Sequence, residues 1–200
     1  MTQLRHLILV RHGETDGESS IRFHGSSDVA LSSEGAAQMR AVAGAIGDET
    51  VGLVVSSPLQ RAWRSAWIAG GGAPVRLESD FREIHFGRWE GLTREEIQAA
   101  DPVLYEDWQN KTSAFEFPGG EPRAEFRERV QKGLDRLLAA PVRSALVVAH
   151  KGVIRTIVEL LTGSRPEGKQ VQLGDGIELT RRGDGTWFEG RNSSNPPGLD

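Results

Sequence analysis

The chain has 200 residues, 38% of them hydrophobic, and a formal net charge of −4. This size and composition suit one globular domain with a sizeable core, which we predict over residues 1–191. The negative charge gives no support to nucleic-acid binding. The lack of cysteine excludes disulfides and thiolate metal ligands, so a cytoplasmic protein is the default expectation. We expect no signal peptide and no membrane contact, because no apolar run approaches the roughly 18 residues of a membrane span.

The first half of the chain alternates predicted strands and helices. The apolar run Leu7–Val10 is typical of a strand buried on both faces of a parallel sheet. Residues 16–32, rich in Gly, Ser and Asp, form a predicted loop that is long enough to be functional. Helices are predicted over 33–47, with Ser32 as N-cap, and from about Pro58, because proline favours the first turn of a helix. Short strands are predicted at 53–55 and 74–77.

The second half resumes this alternation after an irregular stretch over 80–91. Thr93 opens a short helix through a capping-box sequence, and residues 102–120 are aromatic and turn-rich. Strands that alternate with helices predict a three-layer α/β/α sandwich with a mostly parallel central sheet. The remaining predicted elements are an amphipathic helix that ends near 139, a buried strand over 145–149, a helix over 153–162, a hairpin of strands 177–181 and 186–189, and a disordered tail over 192–200.

Two predicted strands, far apart in the sequence, each end in a histidine, His12 and His150. Ligands of open α/β sheets lie beyond the carboxyl ends of the strands, where Arg11 and Arg61 would join the histidines. A lone histidine at such a position is usually an ordinary loop residue, and a pair with a carboxylate could bind zinc. Arginines beside a divalent cation are electrostatically costly, whereas their planar donor forks suit phosphate oxygens. A histidine among these cations loses its proton readily and can act as a nucleophile.

Ordered blocks of residues between about 7 and 160 carry a family resemblance. They are Arg11-His12-Gly13-Glu14-Thr15 with Arg22-x-x-Gly25-x-x-Asp28-x-x-Leu31-Ser32-x-x-Gly35, then Ser56-Ser57-Pro58-Leu59-Gln60-Arg61-Ala62, Glu83-x-x-Phe86-Gly87-x-Trp89-Glu90-Gly91 and Ala149-His150-x-Gly152-Val153-Ile154-Arg155. Together they resemble the histidine phosphatase superfamily, the phosphoglycerate-mutase-like proteins. The pattern is most similar to the α-ribazole phosphatase and broad-specificity phosphatase branches.

The resemblance implies a role for each central position. His12 would attack phosphorus and become a phosphohistidine. Arg11, Arg61 and His150 would hold the phosphoryl oxygens and supply positive charge, so neither a metal nor another cofactor is implied. Glu83 would protonate the leaving oxygen and then deprotonate water, and burial near aromatic residues would raise its pKa for this task.

Other site positions are less firmly assigned. Glu18 stands where the family commonly has asparagine, and Lys151 replaces a usual glycine and either points outward or adds a cation at the rim. Glu14 and Glu90 rival Glu83 as the acid, although Glu90 is expected to order its own turn. The expected substrate contacts are Arg11, Thr15, Glu18, His24, Gly25, Arg61, His150, Lys151 and Gly152.

These observations predict a metal-independent phosphatase that acts on a small phosphorylated metabolite, an α-ribazole phosphate-like compound being one candidate. A cofactor-dependent phosphoglycerate mutase is the alternative, but the chain lacks the paired arginines that mutases carry between the Glu83 block and His150. A non-catalytic phospho-ligand-binding protein is less consistent with an intact central set. The sequence leaves the oligomeric state open, with a homodimer among the options.

Overall fold

The computed structural model describes residues 3–47, 51–112, 114–164 and 171–190. The tail predicted over 192–200 lies outside the described residues. The strands are β1 (His6–Arg11), β2 (Val54–Ser56), β3 (Val75–Leu77), β4 (Ser144–Ala149), β5 (Gly176–Arg181) and β6 (Trp187–Glu189). The helices are α1 (Ser33–Ile46), α2 (Gln60–Ala69), α3 (Arg94–Ala100), α4 (Pro102–Gln109), α5 (Arg123–Leu138) and α6 (Lys151–Thr162), with 3₁₀ turns at Ser79–Phe81 and Gly87–Trp89.

The described strands form one sheet in the order β3-β2-β4-β1-β5-β6. The pairings β1 with β4, β4 with β2 and β2 with β3 are parallel, and β5 and β6 add an antiparallel edge. Arg11, at the end of β1, lies opposite Ala149, at the end of β4. Because these two central strands run in parallel, His12 and His150 leave the sheet side by side at its carboxyl edge.

Alternation along β1 explains why helices cover both faces of the sheet. Leu7 and Leu9 belong to a core cluster on one face, and Ile8 and Val10 to a second cluster on the other. The first cluster includes Phe126, Val130 and Leu134 of α5 with Val153, Ile154 and Ile157 of α6, and the second includes Met39 of α1 with Ala66 and Ala69 of α2. The three-layer α/β/α prediction is therefore confirmed.

Two helices begin at different residues from those predicted. α2 begins at Gln60, not at Pro58, because Asp28 Oδ1 accepts the Gln60 N–H at 2.7 Å and so caps the helix from a distant loop. α6 begins at Lys151, directly after His150 and two residues before the predicted start. The second shift brings the N-terminus of α6 closer to the end of β4.

The turn-rich interpretation of 102–120 missed the helix α4. Proline occupies its first position, where the absent N–H is not needed. The turn between α3 and α4 is fixed by Asp101, whose carboxylate accepts the Trp89 indole N–H at 2.9 Å. These helices pack on a third apolar cluster, separate from the two faces of the sheet. Its buried members are Trp89, Ile97 and Phe115, with Phe23, Phe86, Leu92, Leu104, Tyr105, Trp108 and Phe117 packed around them. None of the helices in the described ranges has the length and apolarity needed to cross a membrane.

Candidate active site

His12 follows β1 directly and is buried, with only 3% of its surface exposed. Its Nδ1 lies 2.8 Å from the Gly13 carbonyl oxygen, which can only accept, so Nδ1 carries the proton. Nε2 is then unprotonated, and its lone pair accepts the Arg61 Nε–H at 3.3 Å. Burial, reinforced by the charges of Arg61 and Arg11, holds the pKa of His12 well below its ordinary value. A neutral imidazole with its Nε2 lone pair available is the form required of a nucleophile.

Arg61, near the start of α2, has no solvent-exposed surface. Its terminal nitrogens donate to the carbonyl oxygens of Ser27 at 2.6 Å, His24 at 2.9 Å and Gly25 at 2.7 Å. Burial lowers the pKa of Arg61 to about 10, still high enough to keep the group charged at neutral pH. Carbonyl dipoles, rather than a contacting carboxylate, therefore hold this cation beside the nucleophile.

The carbonyl groups that hold Arg61 belong to a loop whose backbone N–H groups are hydrogen-bonded by Glu90. The Glu90 carboxylate accepts the backbone N–H groups of Gly25 at 3.1 Å, Ser26 at 3.0 Å and Ser27 at 3.3 Å, and the Ser27 hydroxyl at 2.5 Å. Burial opposes ionisation of Glu90, but these donors outweigh it and lower its pKa. This carboxylate therefore remains ionised and orders the loop, as expected, rather than serving as the acid. Gly25 is required here, because a Cβ would lie 2.1 Å from the Ile84 carbonyl oxygen.

Arg11 is the second arginine near His12. Its Nη1 donates to the Val171 carbonyl oxygen at 3.2 Å, and its Nε is buried without a hydrogen-bond partner. Burial lowers the pKa of Arg11, while the charges of Glu83 and Glu14 act in the opposite direction. Among the residues that the structure describes, no ion pair involves Arg11 or Arg61. Their positive charge is available to an anionic ligand.

His150 lies against His12, with ring centroids 5.1 Å apart at an interplanar angle of 62°. Its Nε2 contacts the Ser57 hydroxyl at 2.9 Å, whereas its Nδ1 is buried without a partner. Burial, with the nearby charge of Arg61, holds the pKa of His150 well below its ordinary value. A lowered pKa favours the neutral ring, and the positive charge expected of His150 from the sequence stays a prediction.

Glu83 is buried at the start of the irregular segment. Its carboxylate accepts the Gly152 N–H at 2.9 Å and the Ile84 N–H at 3.1 Å. Burial raises the pKa of Glu83 despite these donors and the charges of Arg61 and Arg11. Gly152 permits the contact, because a Cβ there would lie 2.4 Å from the carboxylate. A raised pKa in a buried carboxyl group is the property that an acid catalyst needs.

The other rival acid, Glu14, serves the loop that follows it. Its carboxylate accepts the N–H groups of Thr15 at 2.7 Å and Ser20 at 3.2 Å. Thr15 is buried, and its hydroxyl lies 2.8 Å from that of Ser19. Both side chains thus contact the loop itself, and a substrate contact by Thr15 stays a prediction.

Glu18 lies outside the cluster formed by His12, Arg61 and His150. Its side chain is 62% exposed and pairs with Arg22 at 3.3 Å. The backbone of Glu18 has a φ of 58°, which lies in the left-handed region that asparagine adopts more readily than glutamate. The family's usual asparagine at this position therefore has a backbone rationale that does not require contact with a ligand.

His24 and Lys151 flank the central cluster. His24 Nε2 contacts the Gly17 carbonyl, so the ring braces the loop over 16–32. Lys151 is half-buried, and burial together with the charges of Arg155, Arg11 and Arg94 lowers its pKa to about 8. A rim cation at Lys151 stays a prediction.

Two positioning residues were missed by the sequence analysis. Ser57 is fully buried and contacts His150. It lies within the block Ser56–Ala62, but nothing in the sequence marks it as a neighbour of His150. Arg129, on α5, donates to the carbonyl oxygens of Asp80 at 2.8 Å, Arg82 at 2.7 Å and Glu83 at 3.2 Å. It also grips Glu121 through Nε at 2.6 Å and Nη2 at 2.7 Å. The only sequence signal for Arg129 is a cation inside an otherwise ordinary amphipathic helix.

The arrangement suits an anion bound at its phosphorus by His12 and at its oxygens by Arg11 and Arg61. Within the described part of the chain, no group of three or more His, Asp or Glu side chains is placed to hold a metal ion. The chemistry that this donor set can perform is the transfer of a phosphoryl group to and from an imidazole.

Comparison with known proteins agrees with this geometry. The model of the histidine phosphatase superfamily (branch 1) matches residues 7–189. A bifunctional protein of Mycobacterium tuberculosis is 36% identical over 158 residues, which cover 77% of this chain but only 43% of that protein. The chain thus matches less than half the length of that relative. Glucosyl-3-phosphoglycerate phosphatase of the same organism is 34% identical over 164 residues, covering 76% of this chain and 73% of that enzyme.

A solved structure shares the fold at lower identity. The α-ribazole phosphatase of Shigella flexneri superposes with a TM-score of 0.82 at 24% sequence identity, covering 98% of this chain and 99% of that chain. At this identity the likeness concerns the fold, and it extends over both chains almost completely.

Proposed function

Because this chain belongs to branch 1 of the histidine phosphatase superfamily, we propose that it hydrolyses small organic phosphomonoesters through a phosphohistidine at His12. The observation that carries the proposal is the fixed orientation of this ring. His12 Nδ1–H donates to the Gly13 carbonyl oxygen, and the unprotonated Nε2 lies beside the buried Arg61. A nucleophile held in this way needs no base to remove a proton before attack.

In the first half-reaction, His12 Nε2 forms a bond to phosphorus while the bond from phosphorus to the ester oxygen breaks. Glu83, whose pKa burial raises, acts in its protonated form and gives its proton to the departing oxygen, and an alcohol leaves. In the second half-reaction, Glu83 takes a proton from water as the water oxygen attacks phosphorus. The N–P bond then breaks, phosphate leaves, and the His12 lone pair and the Glu83 proton are restored.

Stabilisation of the transferring group is assigned to Arg11 and Arg61. Negative charge develops on the phosphoryl oxygens, and preorganised cations in a buried site stabilise it strongly. Neither arginine contacts a carboxylate in the described part of the chain, so binding a phosphate does not require breaking an ion pair. We propose that these two cations provide the charge needed for catalysis without an added metal.

The proposed substrate is a small phosphorylated metabolite with an organic leaving group. Phe23 and Phe86 pack at 5.3 Å beside the loop that holds Arg61, and Trp108 lies 5.4 Å from Phe23. Such an apolar neighbourhood favours a substrate whose leaving alcohol carries an apolar organic portion. Because the relative with 34% identity is named glucosyl-3-phosphoglycerate phosphatase, glucosyl-3-phosphoglycerate is the first compound to test. α-Ribazole phosphate is the second.

The test combines turnover with trapping of the intermediate. Purified protein is assayed on a phosphomonoester panel with and without EDTA, and reactions are quenched in alkaline denaturant for mass spectrometry, because the N–P bond is acid-labile. We expect EDTA-resistant turnover and a phosphoryl adduct on His12. His12→Gln should lose at least about 10³-fold in kcat and form no adduct. His6→Gln, at the opposite end of β1, is the matched control and should remain active.

Two outcomes would overturn this function. Absence of an adduct and of turnover with every phosphomonoester would favour a phospho-ligand-binding protein. Efficient isomerisation of 3-phosphoglycerate that depends on 2,3-bisphosphoglycerate would identify a mutase instead.

A further inference from the structure

The hydroxyl of Ser57 is the contact that orients His150. Both residues are buried, with 0% and 1% of their surfaces exposed, and the Oγ to Nε2 distance is 2.9 Å. The same oxygen accepts the Leu59 backbone N–H at 3.3 Å. Ser57 is itself fixed through its own N–H, which donates to the Val148 carbonyl oxygen of β4 at 3.2 Å. The serine is therefore held by the strand that delivers His150.

Counting protons decides the direction of this hydrogen bond. If His150 Nε2 carried the proton, Ser57 Oγ would accept from both His150 and Leu59, and its own buried hydroxyl proton would have no acceptor among the contacts found in the described residues. If the hydroxyl donates to Nε2 instead, every proton around Ser57 has a partner. In the first arrangement both the hydroxyl proton and the His150 Nδ1 lone pair would lack a partner, whereas in the second only the His150 Nδ1–H group does. Because each buried unsatisfied polar group costs about 1–3 kcal/mol, the second arrangement is favoured.

We propose that Ser57 is a positioning residue that fixes His150 as the Nδ1–H tautomer, so that this ring presents a neutral N–H donor to the transferring phosphoryl group. The buried Nδ1 that has no protein partner is then the donor held ready for a phosphoryl oxygen. In the opposite tautomer a lone pair would face that oxygen and repel it. The use of this donor in catalysis rests on the function proposed above, whereas the tautomer itself does not.

His12 and His150 thus share one tautomer but are anchored through opposite nitrogens. His12 Nδ1–H donates a hydrogen bond to the Gly13 carbonyl oxygen and leaves Nε2 for the ligand. His150 accepts a hydrogen bond at Nε2 and leaves its Nδ1–H for the ligand. The site gains one nucleophile and one donor from two neutral rings. Neutrality matters here, because two further cations beside Arg11 and Arg61 would be costly in a buried site.

The first test measures the tautomer without reference to activity. Long-range proton–nitrogen correlation spectra of isotope-labelled protein report which ring nitrogen carries the proton, and His12→Gln and His150→Gln assign the two signals. We expect the Nδ1–H form at His150 in the unaltered protein and a mixture of tautomers in Ser57→Ala. A His150 signal that shows Nε2–H in the unaltered protein would refute the proposal, even if the enzyme proves to be a phosphatase.

The second test measures the consequence for turnover. Ser57→Ala should lower kcat by about 10–100-fold with little change in KM, because the substrate still binds to both arginines. Ser57→Thr, which restores the hydroxyl, should recover most of this loss. Ser56→Ala is the matched control: it removes a neighbouring buried hydroxyl that donates to the Ser57 carbonyl and does not contact His150.

Thermal unfolding of each variant separates misfolding from mispositioning. A folded Ser57→Ala protein with unaltered kcat, or an equal loss in Ser56→Ala, would contradict the positioning role. If no phosphohistidine forms in the unaltered protein, the proposed function fails, and the spectra still decide the tautomer.

Discussion

Arg129→Lys tests how the segment that carries Glu83 is held in place. Arg129 makes five hydrogen bonds: two to the Glu121 carboxylate and one each to the carbonyl oxygens of Asp80, Arg82 and Glu83. Lysine keeps the charge, but its single ammonium group cannot span a carboxylate and three separate carbonyls. At least the second bond to Glu121 and one of the carbonyl bonds are lost.

The magnitude follows from the number and kind of these bonds. Arg129 and Glu121 are only 21% and 19% exposed, so solvent screens their contact weakly. Hydrogen bonds to charged groups contribute about 1.5–3 kcal/mol each, and losing one or two lowers the free energy of unfolding by about 2–4 kcal/mol. For a chain of this size the melting temperature should fall by roughly 5–15 °C.

The same substitution should affect catalysis through the placement of Glu83. A shift of about 1 Å in a catalytic group can reduce the rate by roughly 10². We expect this loss with an alkyl phosphate, whose leaving oxygen needs a proton from Glu83. The loss should be several-fold smaller with nitrophenyl phosphate, whose leaving group departs as a stable anion.

The assay pairs denaturant unfolding with kcat on both substrates, and Arg127→Lys is the matched control. Arg127 lies on the same helix, and its ion pair with Glu159 at 3.0 Å is half-exposed, so the variant should lose less than about 1 kcal/mol and no activity. Unchanged unfolding in Arg129→Lys would refute the bond count. Equal losses of kcat on the two substrates would refute the link to Glu83.

Three further predictions concern the charged groups of the site. Glu83→Gln should lower kcat by about 10²–10⁴-fold on alkyl phosphates. Because the acid must be protonated, kcat of the unaltered protein should fall above the raised pKa of Glu83, and this fall should vanish in the variant. If kcat of the variant still falls with rising pH in the same way, Glu83 is excluded as the acid. Lys151, with a pKa of about 8, is charged below that pH. KM should therefore rise as the pH passes 8 in the unaltered protein and stay constant in Lys151→Met. The same dependence of KM on pH in both proteins would place the lysine outside the binding region. Glu90→Gln removes the charge that accepts hydrogen bonds from five donor groups. It should lower kcat/KM by about tenfold, because the carbonyl groups around Arg61 are then held less firmly. Unaltered kinetics would show that the loop keeps its shape without this charge.

The sheet and its carboxyl edge could be predicted because their signals are local. The apolar runs of β1 and β4 indicate strands buried on both faces, and His12 and His150 follow them directly. Parallel pairing then brings the two rings together without any further information. Helix α4 was missed because it has 8 residues, too few to show a clear helical period.

Contacts between distant segments escaped the sequence analysis. Arg129 holds residues 80–83 from nearly fifty positions away, and nothing local distinguishes it from Arg127. The role of Ser57 depends on which of its neighbours accepts its hydroxyl proton, and this is decided only when Leu59 and His150 are placed around it. Glu18 shows the converse, since its departure from the family residue is visible in the sequence but its outward orientation is not.

The arginines of this protein differ in what neutralises them, and the difference separates scaffold from site. Arg129 and Arg136, which hold the segment around Glu83 and the turn at Glu78, contact carboxylates. Arg61 is more deeply buried than either and, within the described part of the chain, its hydrogen bonds go to carbonyl oxygens and the His12 ring. A carboxylate at contact distance would neutralise the arginine and compete with a phosphate for its donors, whereas carbonyl dipoles orient the cation and leave its full charge in place. Glu90 contributes by holding those carbonyls through the backbone N–H groups of their loop, which places its own charge behind the loop instead of against the Arg61 guanidinium.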